Sequence, residues 1–338
     1  MTKIGLIGCG AVADYAHIPA IKGTQGFDLT SIFDVSLANA HRLAKKHHIE
    51  HVFDNVDRFF ESGIDAVVIT SSAPAHKQNV LDAARYKKPV LCEKPLALTN
   101  ADSQVMIAAM KEAGVPLYTA FCYRFSPSAM KIRELVQAGV IGDVRSLRLI
   151  YDWDLHGRYE IADDGKKVLS KRRVGRMLEG GPMIDCGTHQ IDLAQWWLQS
   201  DVVHTTGVGA WVDDYEAPDH MYLHMDHAGG QHTMVEISFS YGAHVKDPCP
   251  VFCYELIGTD GVIRYDRGFR SFEVRTPNNM WHEEWHEEKN FPGMYAEFAK
   301  ALATGEPGDL ATAETGRIVA QIAERGTAQA IANRPVLK

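Results

Sequence analysis

The residues best suited to chemistry lie in Gly180-Gly181-Pro182-Met183-Ile184-Asp185-Cys186-Gly187-Thr188-His189-Gln190-Ile191-Asp192. Asp185, His189 and Asp192 stand four and three apart, the spacing that puts three side chains on one helix face. Pro182 suits the first turn of such a helix, where its missing N–H costs nothing. Histidine is the side chain whose ordinary pKa lies near neutrality, so His189 is the candidate general base. Asp185, one turn earlier, can orient a hydroxyl or tune the imidazole. A capped core helix with a hydrogen-bonded histidine would use the same residue types, so the rest of the chain must decide.

Those residues need elements to position them, and 338 residues are enough for two domains. A composition of 46% hydrophobic and 23% charged residues is that of a globular protein with a sizeable core. The formal charge of −8 argues against nucleic acid as the main partner, because phosphate binding needs a basic face. No apolar run reaches membrane-span length, and the N-terminal glycines come too early for a signal peptide, so the expectation is a cytoplasmic protein. Six scattered cysteines agree with reduced, mostly buried thiols.

The apolar run Lys3–Ile7 reads as a buried strand and enters Gly8-Cys9-Gly10-Ala11-Val12-Ala13, a G-x-G-x-x-A loop before a helical stretch. Gly8 allows the tight turn, and Gly10, with Ala11 and Val12, lets the backbone approach a pyrophosphate. A second apolar run, Leu29–Phe33, ends in Asp34, 24 residues after Gly10. An acid there holds the adenosine ribose hydroxyls and repels a 2′-phosphate, and no arginine stands beside it, which favours NAD over NADP.

Strand-like and helical segments then alternate as far as Phe121, which predicts a parallel, doubly wound sheet. Ligands bind such sheets at the carboxyl ends of the strands. Thr70-Ser71-Ser72 with His76, Cys92-Glu93-Lys94-Pro95, and Cys122-Tyr123-Arg124-Phe125 fall at those ends. Ser71, Ser72, His76, Glu93 and Lys94 are therefore further candidates for holding the cofactor. Beyond residue 121 the pattern changes to repeated strand-like runs separated by Gly229-Gly230 and Asp260-Gly261, the signature of a large, mostly antiparallel open sheet. The expected fold class is α/β, with a Rossmann domain at 1–121 and an α+β domain at 122–338. The last helix is free to pack back on the first domain.

The sequence of features (glycine loop, Glu93-Lys94-Pro95, then Gly-Gly-Pro-x-x-Asp-x-Gly-x-His-x-x-Asp, then an antiparallel sheet) resembles the glucose–fructose oxidoreductase / inositol dehydrogenase / MocA family over essentially the full length. Arg124-Phe125 is similar to the family's Arg-Phe after the sixth strand. The resemblance makes Lys94, Asp185 and His189 the catalytic residues and 122–338 the substrate-binding and oligomerisation domain, and implies oxidation of a secondary alcohol of a sugar or cyclitol, or the reverse, in a homodimer or homotetramer. Pro182 departs from the small residue common at that position, which would reshape the pocket beside the helix start. In this reading His189 takes the hydroxyl proton, and Lys94 stabilises the alkoxide-like oxygen.

Candidate substrate contacts are Lys94, Arg124, Asp185, His189, and Tyr151, Asp152 and His156 at a strand end. The basic stretch from Lys166 to Arg176 adds Arg173 or Arg176 as a clamp for an acidic substituent, although such charge runs are more often a solvated loop or a subunit contact. His282-Glu283-Glu284-Trp285-His286 matches H-E-x-x-H, but it follows a strand and lacks the long helix of a zincin, so no metal site is assigned. Two other readings remain open. One is an NAD-dependent, redox-neutral glycosidase, with Tyr159 or His156 as a second base. The other is a non-catalytic sugar sensor, which the joint presence of Lys94, Asp185 and His189 disfavours.

Overall fold

The computed structural model describes residues 1–338 except 156, 163, 243–244, 286–288 and 336–338. The chain begins with β1 (Thr2–Ile7), a π-turn (Ala13–His17), α1 (Ile18–Gly23), β2 (Phe27–Phe33), α2 (Leu37–His47), β3 (His51–Phe53) and α3 (Val56–Phe60). It continues with β4 (Ala66–Ile69), α4 (Ala73–Arg85), β5 (Val90–Cys92), α5 (Asn100–Ala113), β6 (Leu117–Thr119) and a 3₁₀ turn (Cys122–Phe125). Next come α6 (Pro127–Gln137), β7 (Val144–Asp152), β8 (Tyr159–Ile161), β9 (Lys167–Leu169), α7 (Lys171–Leu178), a π-turn (Met183–Gly187) and α8 (Thr188–Leu198). The remainder is β10 (Val202–Ala210), β11 (His220–His227), β12 (His232–Ser238), β13 (Val251–Gly258), β14 (Val262–Asp266), β15 (Ser271–Arg275), β16 (Met280–Glu284), α9 (Phe291–Thr304), β17 (Ala311–Thr312) and α10 (Ala313–Ala332).

Two compact units form, Met1–Phe125 with Lys289–Ala320, and Ser126–Glu288 with Gln321–Lys338. In the first, the sheet order is β17-β6-β5-β4-β1-β2-β3. Strands β1 to β6 pair in parallel, and β17 adds an antiparallel edge. Both faces are buried, as a doubly wound sheet requires. On β4, Ala66 and Val68 enter one core cluster, while Val67 and Ile69 enter the other. The first cluster also takes Phe291, Met294, Tyr295 and Phe298 of α9. That packing is why Lys289–Ala320 belongs with the first unit, although it lies within the sequence range 122–338.

The second unit carries the eight-stranded sheet β10-β11-β12-β7-β13-β14-β15-β16. Its pairs are antiparallel except β12 with β7, which is parallel. Residues alternate between faces. On β11, Met221, Leu223 and Met225 are fully buried while His220, Tyr222 and His224 are not. Helix α8 contacts the sheet at β12 and β7. Trp197 of α8 donates to the Ala129 carbonyl on α6 at 2.9 Å and meets Tyr254 edge-on. Gly207 of β10 is a close-approach position, since a Cβ there would lie 1.9 Å from the Gly326 carbonyl oxygen. Within the stretch 154–179, which shows no clear periodicity in sequence, the described residues include the paired strands β8 and β9 and helix α7.

Candidate functional site

In the first unit the glycine loop is fixed from three sides. Gly8 has φ +99°, and a Cβ there would fall 2.4 Å from the Ser71 nitrogen, so glycine is required. The Thr70 hydroxyl donates to the Gly8 carbonyl at 2.6 Å. The Asp34 carboxylate at the end of β2 accepts from Cys9 N at 2.6 Å through Oδ2 and from Ser36 N at 2.7 Å through Oδ1. At Gly10, by contrast, the nearest 4 Å around a built Cβ is open. A loop held against its own sheet but open at Gly10 fits the close approach of a pyrophosphate. Ala11 and Val12 open the helical segment that follows. Val35, next to Asp34, is 95% exposed and carries no charge toward a 2′-phosphate.

The Glu93-Lys94-Pro95 turn follows β5, with a cis Lys94–Pro95 peptide. Glu93 is buried. Its Oε1 lies 2.8 Å from His17 Nε2, its Oε2 accepts from Lys94 N at 3.0 Å, and His17 Nδ1 lies 2.6 Å from the Tyr295 hydroxyl. Burial would raise the Glu93 pKa, but the hydrogen bond and charge of His17, followed by Lys94 and Lys289, carry it below the usual value. Burial and then the Glu93 charge push the Tyr295 hydroxyl well up, so it stays a donor. The Tyr295 hydroxyl and the Glu93 carboxylate thus each engage one nitrogen of the His17 ring. His17 and Tyr295 are absent from the sequence-derived candidates. The available signal was a polar imidazole in the apolar helix Ala16-His17-Ile18-Pro19-Ala20. Replacing His17 with Ala leaves a buried carboxylate short of a donor, at a cost of roughly 3 kcal/mol. Thermal unfolding should show a Tm several degrees lower, and an unchanged Tm would refute the role.

His76, a candidate cofactor ligand, has a different task. Its Nδ1 faces the Pro95 carbonyl at 2.9 Å and its Nε2 the Ser71 carbonyl at 3.0 Å, so the ring braces two turns against each other. Burial holds its pKa below the ordinary value despite those carbonyls. Ser71 Oγ accepts from Asn79 at 2.9 Å, and Ser72 caps α4 without a side-chain bond. Arg124 is buried in the 3₁₀ turn and donates to the Asp309 carbonyl at 3.2 Å.

In the second unit, Gly180 (φ +116°) and Gly181 (φ +78°) turn the chain into the helical segment. A π-turn then occupies Met183–Gly187. Its i→i+5 bonds add residues per turn, so Asp185 is rotated away from the position that an uninterrupted α-helix would give it. Asp185 and His189 are both buried, His189 to 2% exposure. Asp185 Oδ2 lies 3.6 Å from Arg176 Nε, and Arg176 Nη1 donates to Glu179 at 2.6 Å. Burial alone would lower the Arg176 pKa, but Asp185 and Glu179 raise it. Of the two arginines proposed as a substrate clamp, Arg176 is the one beside Asp185.

Arg173 requires a correction. It is 0% exposed, and its guanidinium is held inside the unit by Asp213 at 2.9 Å, Ser240 Oγ at 2.6 Å and the Phe239 carbonyl. A locally basic stretch thus hides a core ion pair that anchors α7. Tyr151 is likewise a packing residue, stacked on Trp153 and edge-on to Phe252. Asp152 is buried on the sheet beside His220 and Glu236. Burial first, then Glu236, push its carboxyl up to about 7, while burial lowers the His220 pKa. His156 lies outside the described residues, as does His286. His282 sits on β16, with its Nε2 3.0 Å from Ser271 Oγ, so it has no helix on which to form a zincin site. All six cysteines are free, and burial, then Asp34, pushes the Cys9 thiol up to about 12. No helix among the described residues is long and apolar enough to cross a membrane.

Comparison with known proteins places the chain in a family. The oxidoreductase family with an NAD-binding Rossmann fold matches residues 2–121, and the GFO/IDH/MocA C-terminal domain matches residues 129–264. D-apiose dehydrogenase of Rhizobium rhizogenes is 26% identical over 82% of this chain and 77% of its own length. Myo-inositol 2-dehydrogenase of Thermotoga maritima is 30% identical over 63% of this chain and 60% of its own length. An aldose-aldose oxidoreductase of Caulobacter crescentus has a similar fold, with TM-score 0.82 and 20% identity over 98% of each chain. The chain is an oxidoreductase of the Gfo/Idh/MocA family, with an NAD(P)-binding Rossmann domain and a C-terminal domain built on a mostly antiparallel sheet.

Proposed function

We propose that this protein transfers hydride between a secondary alcohol or ketone of a sugar, sugar derivative or cyclitol and NAD. The observation that carries the reading is the turn after β5, where Glu93, bonded to His17 and to Lys94 N, fixes the backbone from which Lys94 projects. The nicotinamide, when bound, supplies the hydride acceptor. In this proposal Gly8, Gly10 and Asp34 hold the dinucleotide. His189 takes the proton from the reacting hydroxyl, Lys94 places positive charge at the oxygen as it becomes alkoxide-like, and Asp185 orients a substrate hydroxyl. Arg176, beside Asp185, meets an anionic substituent where the substrate has one.

The test is a screen for NADH formation over polyols, aldoses, uronates and glycosides, with products identified. Net NADH with an oxidised sugar supports the reading. Glycoside cleavage without net NADH replaces it with the redox-neutral glycosidase. The same assay checks cofactor choice. Replacing Asp34 with Ala removes the carboxylate that accepts from Cys9 N and repels a 2′-phosphate, so the ratio of kcat/KM for NAD over NADP should fall by about tenfold or more, or about 1.4 kcal/mol. An unchanged ratio would remove Asp34 from cofactor discrimination.

A further inference from the structure

On the open face of the second unit's sheet, three polar side chains converge without any connection in sequence. His220 on β11 and Asp152 on β7 both pair with Ser238 of the intervening β12. Glu236 lies two residues before Ser238 and therefore points to the same face. His220 and Asp152 stand two strand spacings apart, ~10 Å. They lean toward each other over the small Ser238, and one ligand atom from each of the three residues lies within 4.8 Å of the others. His220 Nε2 is 3.6 Å from Glu236 Oε1. Two atoms each ~2.1 Å from a common metal in near-tetrahedral geometry stand at about this separation.

The polar accounting supports a missing positive group. Asp152 is 3% exposed, and its Oδ1 is buried without a hydrogen-bond partner. His220 Nε2 is buried in the same condition. Buried polar atoms normally find partners, and leaving them without one is costly. A proton shared between the two carboxylates would serve Asp152 and Glu236 but leave the imidazole nitrogen unserved. Arg148 does not fill the gap, because its Nη2 reaches only the other Glu236 oxygen, at 3.9 Å. Tyr222 packs on the His220 ring and presents no positive charge.

We infer that Asp152, His220 and Glu236 form a divalent-cation site that ties β7, β11 and β12 together. One imidazole and two carboxylates suit Zn²⁺ or Mn²⁺ better than Ca²⁺ or Mg²⁺, which prefer all-oxygen shells. No sequence window joins the three, because the two acidic partners of His220 stand on other strands.

The test uses the full chain, stripped with a chelator and titrated with ZnCl₂ against a chromophoric competitor. The wild type should bind one Zn²⁺ more tightly than Asp152→Asn, His220→Gln or Glu236→Gln, by at least roughly tenfold. His224→Gln is the control. It removes the neighbouring half-buried imidazole, 3.1 Å from His232, and should leave the tight site intact. Thermal unfolding separates ligation from folding. Metal-free Asp152→Asn, relieved of one of two adjacent carboxylates, should unfold no lower than metal-free wild type yet lose the rise in Tm that Zn²⁺ gives the wild type. Equal Zn²⁺ affinity and stoichiometry in wild type, Asp152→Asn and His220→Gln would overturn the site. So would a metal-free Asp152→Asn that unfolds several degrees below wild type, since that marks a structural carboxyl pair.

Discussion

Lys94→Met turns over at least about 10²-fold more slowly than wild type while binding NAD with nearly unchanged affinity. Methionine keeps much of the side chain's length and removes its charge. Loss of one preorganised donor at a developing oxyanion costs roughly 10²–10³ in kcat, or about 2.7–4 kcal/mol. The backbone is spared, because Glu93 Oε2 accepts from the main-chain nitrogen of residue 94 and not from its side chain. Dinucleotide binding should therefore survive, and calorimetry with NAD alone can confirm it. Steady-state NADH formation at saturating substrate is the decisive measurement. Near-normal kcat in a folded, NAD-binding variant would sink the assignment of Lys94 to the reacting oxygen.

The second large effect is expected at His189. Removing a general base lowers the rate by roughly 10²–10⁴. His189 is nearly fully buried on α8, so His189→Ala also leaves a cavity, and its lost rate alone would not separate chemistry from packing. His189→Gln keeps more of the volume and a hydrogen-bonding head but cannot accept a proton at neutral pH. Both variants should lose turnover together. In His189→Gln the acidic limb of the kcat/KM–pH profile should also disappear, because that limb reports protonation of the free enzyme's base. A variant that is slow but keeps the limb would locate the base elsewhere.

The parts of the structure legible in sequence were those fixed by local pattern. The strand–glycine loop–helix unit, Asp34 at the end of β2, and the period-2 runs of the second sheet each declare themselves within a few residues. The unread parts depend on contacts between distant residues. Tyr295 reaches His17 across 278 positions, and no window joins Asp152, His220 and Glu236. Arg173 was misread for a different reason. A run of basic residues says nothing about which one faces inward, and Asp213, Phe239 and Ser240, 40 residues or more further on, make its burial tolerable. The π-turn at Met183–Gly187 was also invisible, since helical spacing in sequence does not record an inserted residue. It changes where Asp185 points, so it belongs to the candidate site as much as the side chains do.

The return of Lys289–Ala320 to the first unit has a consequence for how the protein is made. On a ribosome the residues that bind the dinucleotide emerge first, but the face of β1, β2 and α1 that takes Phe291, Met294, Tyr295 and Phe298 must wait for nearly the whole chain. Until then apolar surface is exposed, and His17 and Glu93 stand without the hydroxyl that completes their hydrogen bonds. Transiently exposed apolar surface of this kind is what chaperones shield, and the half that is translated first is the one finished last.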